Sequence, residues 1–173
     1  MKYFTGLTAR HGLLRAIGPV LLLLYGLNAC TEAGEYTARS VRIFDGDSFI
    51  ATRSNGVEIE IRLFGIDAPE RHQPWSRKSR EALGELLRDT DFSVSTVTID
   101  RYDRTVAVVT LPDGRQVNSE MIRAGHAWVY RRYTDDDVML ALEDQAKKNK
   151  LGLWRLPPAE RIPPWEWRSQ KRK

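Results

Sequence analysis

The sequence predicts an α+β fold of mainly β character, in which a small closed barrel of five strands carries three packed helices. Two observations lead to this class. Five segments have strand composition or period-two alternation between turn signals, and three segments have helical periodicity. The 173 residues suit one domain with extensions, and 42% hydrophobic with 29% charged residues is typical of a globular protein rather than a disordered one.

The first three strands are predicted to be consecutive antiparallel neighbours. They read ARSVRIF, SFIAT and VEIEIRLFGI, and they are separated by the turns DGD at 45–47 and RSNG at 53–56. Every second residue from Val57 to Leu63 is apolar, which is the pattern of a strand with one buried face. The Asn55-Gly56 pair indicates a hairpin, because both residues accept positive φ. Two later strands are predicted from FSVSTVTID and TVAVVTL.

Three helices are predicted around these strands. The first, SRKSREALGELLRD, places four apolar side chains on one face: Ala82, Leu83, Leu86 and Leu87. The second, NSEMIRAG, ends at Gly125, a typical C-cap. The third runs from about Thr134 to about Asn149, with Asp135 to Asp137 in its first turn. We interpret these three aspartates as capping and helix-dipole residues rather than as calcium ligands.

The N-terminal residues predict a targeting segment. Positive charges precede an uncharged run from Ala16 to Leu27, which has the length of a signal-peptide core and is short for a bilayer span. The run leads into LNAC, and Cys30 resembles the lipidated cysteine of a bacterial lipoprotein. A lipoprotein signal and an ordinary cleaved signal peptide both remain open. Either exports the mature protein, which would be secreted, periplasmic or anchored in a membrane.

The predicted organisation has four parts. They are the signal peptide at 1–29, a linker at 30–36, the folded domain at 37–154, and a tail at 155–173 that is rich in Pro and Trp and then basic. Three of the four net positive charges lie in the signal peptide, so the bulk charge favours a polyanionic partner only weakly. The single cysteine excludes an intramolecular disulfide and a thiolate zinc site.

Charged residues concentrate in three turns beside the strands: DGDS at 45–48, RLFGIDAPE at 62–70 and DRYDR at 100–104. Asp47 and Asp67, with a backbone carbonyl, provide the oxygen ligands that Ca²⁺ prefers. Arg62 and Arg104 are suited to bind a phosphodiester and to neutralise charge that develops on phosphorus. Glu70 is placed to orient or deprotonate a water molecule. Together these residues predict metal-assisted hydrolysis of a phosphodiester.

In these motifs the chain resembles the staphylococcal nuclease (thermonuclease) family over residues 37–154. The patterns D-G-D-[ST], R-x-x-x-[IV]-D-x-P-E and D-[KR]-Y-x-R occur in order, and QAKKNKLGLW resembles the family's last helix. The resemblance implies a five-stranded OB-fold barrel with three helices. It also implies a Ca²⁺-dependent nuclease that acts on DNA and RNA, single-stranded or locally opened, cleaving the 5′ P–O bond and leaving 3′-phosphate ends. We expect a monomer.

The resemblance also implies three groups of site residues. Calcium would be held by the side chains of Asp47 and Asp67 and the backbone carbonyl of Ala68. The catalytic residues would be Arg62, Glu70 and Arg104. The residues beside the bound nucleotide would be Arg101, Tyr102 and Tyr133, the last lining the base side.

One position departs from the family's pattern, because Asp103 stands where many members have glycine. Aspartate tolerates positive φ better than most residues, but its charge beside Arg104 is expected to weaken phosphate binding. His72 and His126 lack the spacing of metal ligands, and we interpret them as structural or surface residues. Trp128 and Tyr130 are expected in or near the core.

Each motif alone has a plainer interpretation. A DGD sequence is more often a turn than a metal loop, and Arg62 alone could pair with Glu58 and Glu60 on its own strand. The main alternative function is a non-catalytic OB-fold module that binds nucleic acid or a protein partner in the cell envelope. A purely structural, envelope-tethered domain is a third hypothesis, and it leaves the paired arginines without a purpose. The joint presence of all the motif residues favours the nuclease.

Overall fold

The computed structural model describes residues 34–171, so the predicted signal peptide and Cys30 lie outside the described residues. Its strands are β1 (Glu35–Ile43), β2 (Ser48–Arg53), β3 (Glu58–Leu63), β4 (Ile66–Asp67), β5 (Asp91–Ile99), β6 (Thr105–Thr110) and β7 (Trp128–Val129). Its α-helices are α1 (Ser76–Leu86), α2 (Val117–Arg123), α3 (Asp137–Lys148) and α4 (Pro164–Gln170), and two short 3-10 turns lie at Gly152–Arg155 and Pro158–Glu160.

Five strands close into a barrel in the order β1-β2-β3-β6-β5, while β4 and β7 form a separate two-stranded sheet. The predicted α+β class and five-stranded barrel are therefore confirmed. The three predicted helices are present as α1, α2 and α3, and the C-terminal tail adds α4. Among residues 34–171, no helix combines the length and the apolar composition that a membrane crossing requires.

Three of the differences between the predicted and the observed element boundaries have a direct structural reason. Strand β1 begins at Glu35, inside the stretch predicted as linker, because its first residues pair with β5. The predicted third strand is interrupted after Leu63, and the chain resumes as β4 to pair with β7. Helix α3 begins at Asp137, because the Asp136 carboxylate accepts hydrogen bonds from the first helical N–H groups and so caps the helix.

The alternation on β3 gives the barrel an apolar interior and a polar exterior. Ile61 and Leu63 are 0% and 1% exposed, whereas Glu60 and Arg62 point to the other face. Phe49 on β2 and Phe92 on β5 meet inside the barrel edge to face, with ring centroids 5.8 Å apart. Helix α1 covers the barrel with the apolar face that its sequence predicted, since its leucines belong to the same core cluster.

Barrel closure depends on one parallel pairing, between β3 and β6. Its register sets Arg62 opposite Val106, and Arg104 lies two residues before Val106, directly ahead of the first residue of β6. The closure therefore brings the two predicted phosphate-binding arginines to one outer face of the barrel, although 42 positions of sequence separate them.

A second apolar cluster lies outside the barrel and consists of Trp128, Ala146, Leu153 and Trp154, with Trp165 packed against it. The rings of Trp128 and Trp154 meet with centroids 5.5 Å apart. Trp128 is thus buried, as predicted, but in this second cluster rather than in the barrel. Because Trp165 belongs to α4, the cluster is what attaches the C-terminal helix to the domain.

Candidate active site

All nine predicted site residues line one cleft of about 920 Å³ on the outer face of the barrel: Asp47, Arg62, Asp67, Ala68, Glu70, Arg101, Tyr102, Arg104 and Tyr133. They come from the β1–β2 turn, from β3, from β4 and the loop after it, from the β5–β6 turn, and from the segment before α3. The structure thus brings together every residue that the motifs selected.

The β1–β2 turn is built around Asp47. Its backbone N–H donates to Asp45 Oδ1 (3.0 Å), and its own carboxylate accepts hydrogen bonds from Ser48 Oγ (2.8 Å) and Ala68 N–H (2.6 Å). Asp47 therefore joins the turn to the end of β4. Gly46 lets the backbone of the turn lie close to α1, because a Cβ at this position would be only 1.8 Å from Ser79 Oγ.

Arg62 is the central cation of the site. Its Nη1 lies 2.6 Å from Asp47 Oδ1 and its Nη2 lies 3.0 Å from Asp67 Oδ1, and Nη2 also donates to the Ile66 carbonyl. Asp67 is 1% exposed, so this network is screened little by solvent. Burial would lower the pKa of Arg62, but the neighbouring aspartates raise it, so the side chain stays charged.

The aspartates of the site carry more negative charge than Arg62 alone neutralises. Burial, together with the charge of Asp47, raises the pKa of Asp45 to about 8, so Asp45 holds a proton at neutral pH. Burial raises the pKa of Asp67 as well, with a further contribution from Asp47 and against the effect of Arg168. A bound cation would relieve this concentration of carboxylates.

The donor set therefore fits a hard cation such as calcium. The carboxylates of Asp47 and Asp67 and the backbone of Ala68 lie side by side in the cleft wall. Within residues 34–171, no three His, Cys, Asp or Glu side chains form a compact metal-binding group. The predicted site is of another kind, with two aspartates and one backbone carbonyl.

The β5–β6 turn presents Arg104, and its carboxylate partner is Asp100. Arg104 Nε donates to Asp100 Oδ2 at 2.8 Å, and Asp100 Oδ1 accepts the N–H groups of Tyr102 and Arg104. Burial would raise the pKa of Asp100, but these hydrogen bonds lower it. Asp103 has φ 62°, so the position does require the left-handed conformation that aspartate tolerates. The charge paired with Arg104 is thus that of Asp100, not that of the exposed Asp103.

Aromatic side chains form the other end of the cleft. Tyr102 and Tyr133 are 64% and 59% exposed, which leaves their rings accessible to a ligand. Tyr130 is half-buried between Tyr133, at 4.9 Å, and Trp165, on which it stacks at 5.5 Å with an interplanar angle of 2°. Exposed rings beside arginines provide stacking surfaces for bases of any sequence.

The other predicted structural residues take supporting positions. His126 accepts a hydrogen bond from Trp75 Nε1 at 3.1 Å, and burial together with nearby Lys78 lowers its pKa. His72 is exposed. Buried Asn118 donates to the Phe64 carbonyl at 2.9 Å and so holds the turn between β3 and β4.

Sequence reasoning did not identify several residues that line the cleft: Asp45, Asp100, Arg132, Trp165 and Arg168. Asp45 and Asp100 stand in the quoted motifs, so their position beside Asp47 and Arg104 was an available signal. Arg168 had no comparable signal. It lies about a hundred residues from Asp67 and Glu70, yet it contacts both carboxylates.

Comparison with known proteins gives a consistent result. The profile of the family described as staphylococcal nuclease homologue matches residues 60–156. An Escherichia coli protein named as an uncharacterized endonuclease is 41% identical over 133 residues, covering 77% of this chain and 85% of that protein. A micrococcal nuclease of Shigella flexneri is 35% identical over 165 residues, covering 90% of this chain and 91% of that protein. A Haemophilus influenzae protein named as an uncharacterized endonuclease is 34% identical over 153 residues, covering 88% of this chain and 84% of that protein.

The close approach at Gly46 generates a prediction. In Gly46→Ala the new methyl group collides with Ser79 Oγ at 1.8 Å and with Ala68 Cβ at 2.8 Å, so the turn that carries Asp47 must move. We expect a loss of about 1–3 kcal/mol in the free energy of unfolding, measured with urea. The control is Gly84→Ala on α1, whose Cβ meets only Ile43 at 3.8 Å and should be neutral or stabilising. Equal stability of Gly46→Ala and wild type would contradict the tight packing.

Proposed function

The chain belongs to the staphylococcal nuclease homologue family and is a nuclease by that membership, and from this premise we propose that it is an exported, calcium-dependent enzyme. The proposed reaction is hydrolysis of phosphodiester bonds in DNA and RNA, with little sequence or sugar specificity. The observation that supports it best is the convergence of paired aspartates, paired arginines and Glu70 in one cleft.

In the proposed reaction, Glu70 accepts a proton from the attacking water as the water oxygen bonds to phosphorus. The bond between phosphorus and the 5′ oxygen breaks, and that oxygen takes up a proton from solvent. The products are a 5′-hydroxyl and a 3′-phosphate. Arg62 and Arg104 donate to the phosphate oxygens and stabilise their growing charge. Calcium, held by Asp47, Asp67 and the Ala68 carbonyl, would supply further positive charge that polarises the phosphate.

Arg62 retains donors for this role despite its ion pairs. Its Nη1 is buried and close to Asp47, yet among the described residues it finds no acceptor at a hydrogen-bonding angle. A guanidinium has five N–H donors in a rigid fork, so a phosphate oxygen can be bound while the aspartate contacts remain.

The charge balance of the cleft supports a metal-assisted reaction on a polyanion. Five arginines and five acidic residues line it, so the side chains balance when every carboxylate is ionised and leave a single positive charge when Asp45 holds its proton. A divalent cation would make the cleft clearly positive and attract phosphodiester chains. The exposed rings of Tyr102 and Tyr133 would stack on unpaired bases, which favours single-stranded or locally opened substrates.

Export is the second part of the proposal, and its support is the sequence of residues 1–30. A positive segment, an apolar core and Cys30 match a bacterial export signal, with or without a lipid anchor. A nuclease released from the cytoplasm is kept away from the nucleic acids of the cell that makes it. We propose that the mature enzyme acts as a monomer.

Calcium dependence is tested first. The purified mature domain should cleave single-stranded DNA and RNA with Ca²⁺ and lose this activity in EGTA. Mg²⁺ should restore little activity, because a site with few protein ligands and flexible geometry suits the larger Ca²⁺ ion. The measurement is product release from a labelled oligonucleotide in each condition. Full activity in EGTA would remove the metal from the mechanism.

The roles of individual residues are tested by substitution. Glu70→Gln should lower kcat about 10²-fold or more with substrate affinity largely kept, because the amide cannot take the proton. Arg62→Ala should lower kcat about 10²–10³-fold through lost charge stabilisation. Asp67→Ala should weaken Ca²⁺ affinity, with partial recovery of activity at high calcium.

Matched controls for these variants lie on the exposed face of α1. Glu81→Gln and Arg77→Ala change the same chemical groups, which are 52% and 79% exposed and, within residues 34–171, pair only with each other. Both should leave kcat within about twofold, because surface ion pairs of this kind contribute little. If Glu70→Gln and Arg62→Ala also keep near wild-type turnover, the catalytic site is misplaced and the non-catalytic binding module becomes the better hypothesis.

The lipid anchor is tested by processing and partitioning. If Cys30 is acylated, the wild-type protein should partition into the detergent phase, because several acyl chains anchor a protein firmly in a membrane. Cys30→Ala should shift the protein to the aqueous phase. Phase separation of cell extracts and mass spectrometry of the mature N-terminus provide the measurement. Recovery of freely soluble wild-type protein that begins after residue 30 would favour an ordinary signal peptide.

A further inference from the structure

The segment after residue 156 lies beyond the match to the family profile, yet it contacts the active-site cleft or the loop beside it at three points. The Gln73 side-chain amide donates to the Ile162 carbonyl, so the segment is tied to the loop that carries Glu70. Trp165 stacks on Tyr130 at 5.5 Å. Arg168, one turn further along α4, extends into the cleft itself. The C-terminal segment is thus part of the wall of the site.

Arg168 bridges two carboxylates that have different proposed roles. Its Nη2 donates to Asp67 Oδ2 at 2.7 Å, and its Nη1 donates to Asp67 Oδ1 at 3.1 Å and to Glu70 Oε1 at 2.5 Å. The fork geometry fixes both the distance and the orientation of a carboxylate, which a single point charge does not. Among the described residues, Arg168 is the one cation that pairs with Glu70.

Glu70 needs such a partner because no helix or strand holds it. It lies in the loop between β4 and α1, where its backbone exchanges hydrogen bonds with Gln73 and two nearby residues, His72 and Trp75, have positive φ. These contacts fix the backbone of the loop, but the Glu70 side chain is still 36% exposed. Without Arg168, a side chain with that freedom would sample several rotamers.

We propose that Arg168 is a positioning residue of the nuclease site: it orients Glu70 toward the attacking water and shares Asp67 with the bound cation. This inference rests on the proposed function. It assigns a role to the C-terminal helix, which delivers Arg168 to the cleft beside the arginines that the motifs contain.

Sharing of Asp67 follows from how its oxygens are used. Oδ1 accepts from both Arg62 and Arg168, and Oδ2 accepts from Arg168. A cation that binds Asp67 must either displace Arg168 from one Asp67 oxygen or lie close to the positive charge of Arg168. Arg168 can release Asp67 and still hold Glu70, because separate contacts serve the two carboxylates. Removal of Arg168 should therefore strengthen cation binding while it weakens catalysis.

The test compares Arg168→Ala and Arg168→Lys with wild type and with Lys171→Ala. Lys171 is the matched control because it is an exposed cation at the end of the same helix and its ammonium lies over the Trp167 ring, 5.1 Å from the centroid. Three quantities are measured: kcat and KM on a single-stranded oligodeoxynucleotide at saturating Ca²⁺, the Ca²⁺ affinity by calorimetry without substrate, and thermal unfolding in EGTA to confirm folding.

For Arg168→Ala we expect kcat to fall about tenfold or more while KM changes less than about threefold. We expect Ca²⁺ to bind about fivefold more tightly or better, because a competing charge is gone. Arg168→Lys should recover part of kcat, since it keeps the charge but not the fork. A purely structural residue would lower stability without moving turnover and calcium affinity in opposite directions.

Two results would overturn the proposal. Unchanged or increased kcat in folded Arg168→Ala would show that Arg168 does not position Glu70, and unchanged or weaker Ca²⁺ binding would show that Asp67 is not shared. If Arg168→Ala does not fold, Arg168→Gln is measured in its place. Failure of the proposed function is a separate result: wild-type protein would then cleave neither DNA nor RNA with any divalent cation.

Discussion

The ion pairs of Arg62 with Asp47 and Asp67 are the interaction on which the site depends. They connect the end of β3 with the β1–β2 turn and with β4, so one guanidinium holds three separate segments together. Removal of one partner from a buried ion pair typically costs about 3–5 kcal/mol, because a charge is left uncompensated. Such a network is weak evidence for stability but strong evidence for a constraint on geometry. Here the constrained groups are the ones that the chemistry requires.

The alternation of β3 separates this chemistry from the stability of the barrel. Ile61 and Leu63 face the core, and Arg62 between them faces the cleft. The position of Arg62 in the cleft is fixed because packing on the opposite face of the strand immobilises its two neighbours. The parallel pairing with β6 then sets Arg104 beside it. The polar site can retain carboxylates with raised pKa values because the apolar core, not the site, stabilises the fold.

The barrel and most of the site could be predicted because their signals are local. Period-two alternation marks β3, and the aspartates at 135–137 mark the start of α3 to within three residues. The motif residues stand in turns, where short sequence patterns carry the most information. The sequence could not supply the β3–β6 register, because that register depends on how the chain closes on itself and no window of neighbouring residues records it. The pairing of Arg104 with Asp100, four residues away in the same turn, was in contrast a local signal.

Arg168 shows the same limit most clearly. Its surroundings, PPWEWRSQ, are rich in proline and tryptophan and show no helical periodicity, so composition predicted a tail rather than a part of the site. The information lies in Trp165, which packs on a cluster formed by residues from β7, α3 and the 3-10 turn after it. That packing fixes the position of α4, and the position of α4 determines that the Arg168 side chain extends into the cleft. An apolar contact outside the barrel therefore determines which cation lies beside Asp67 and Glu70.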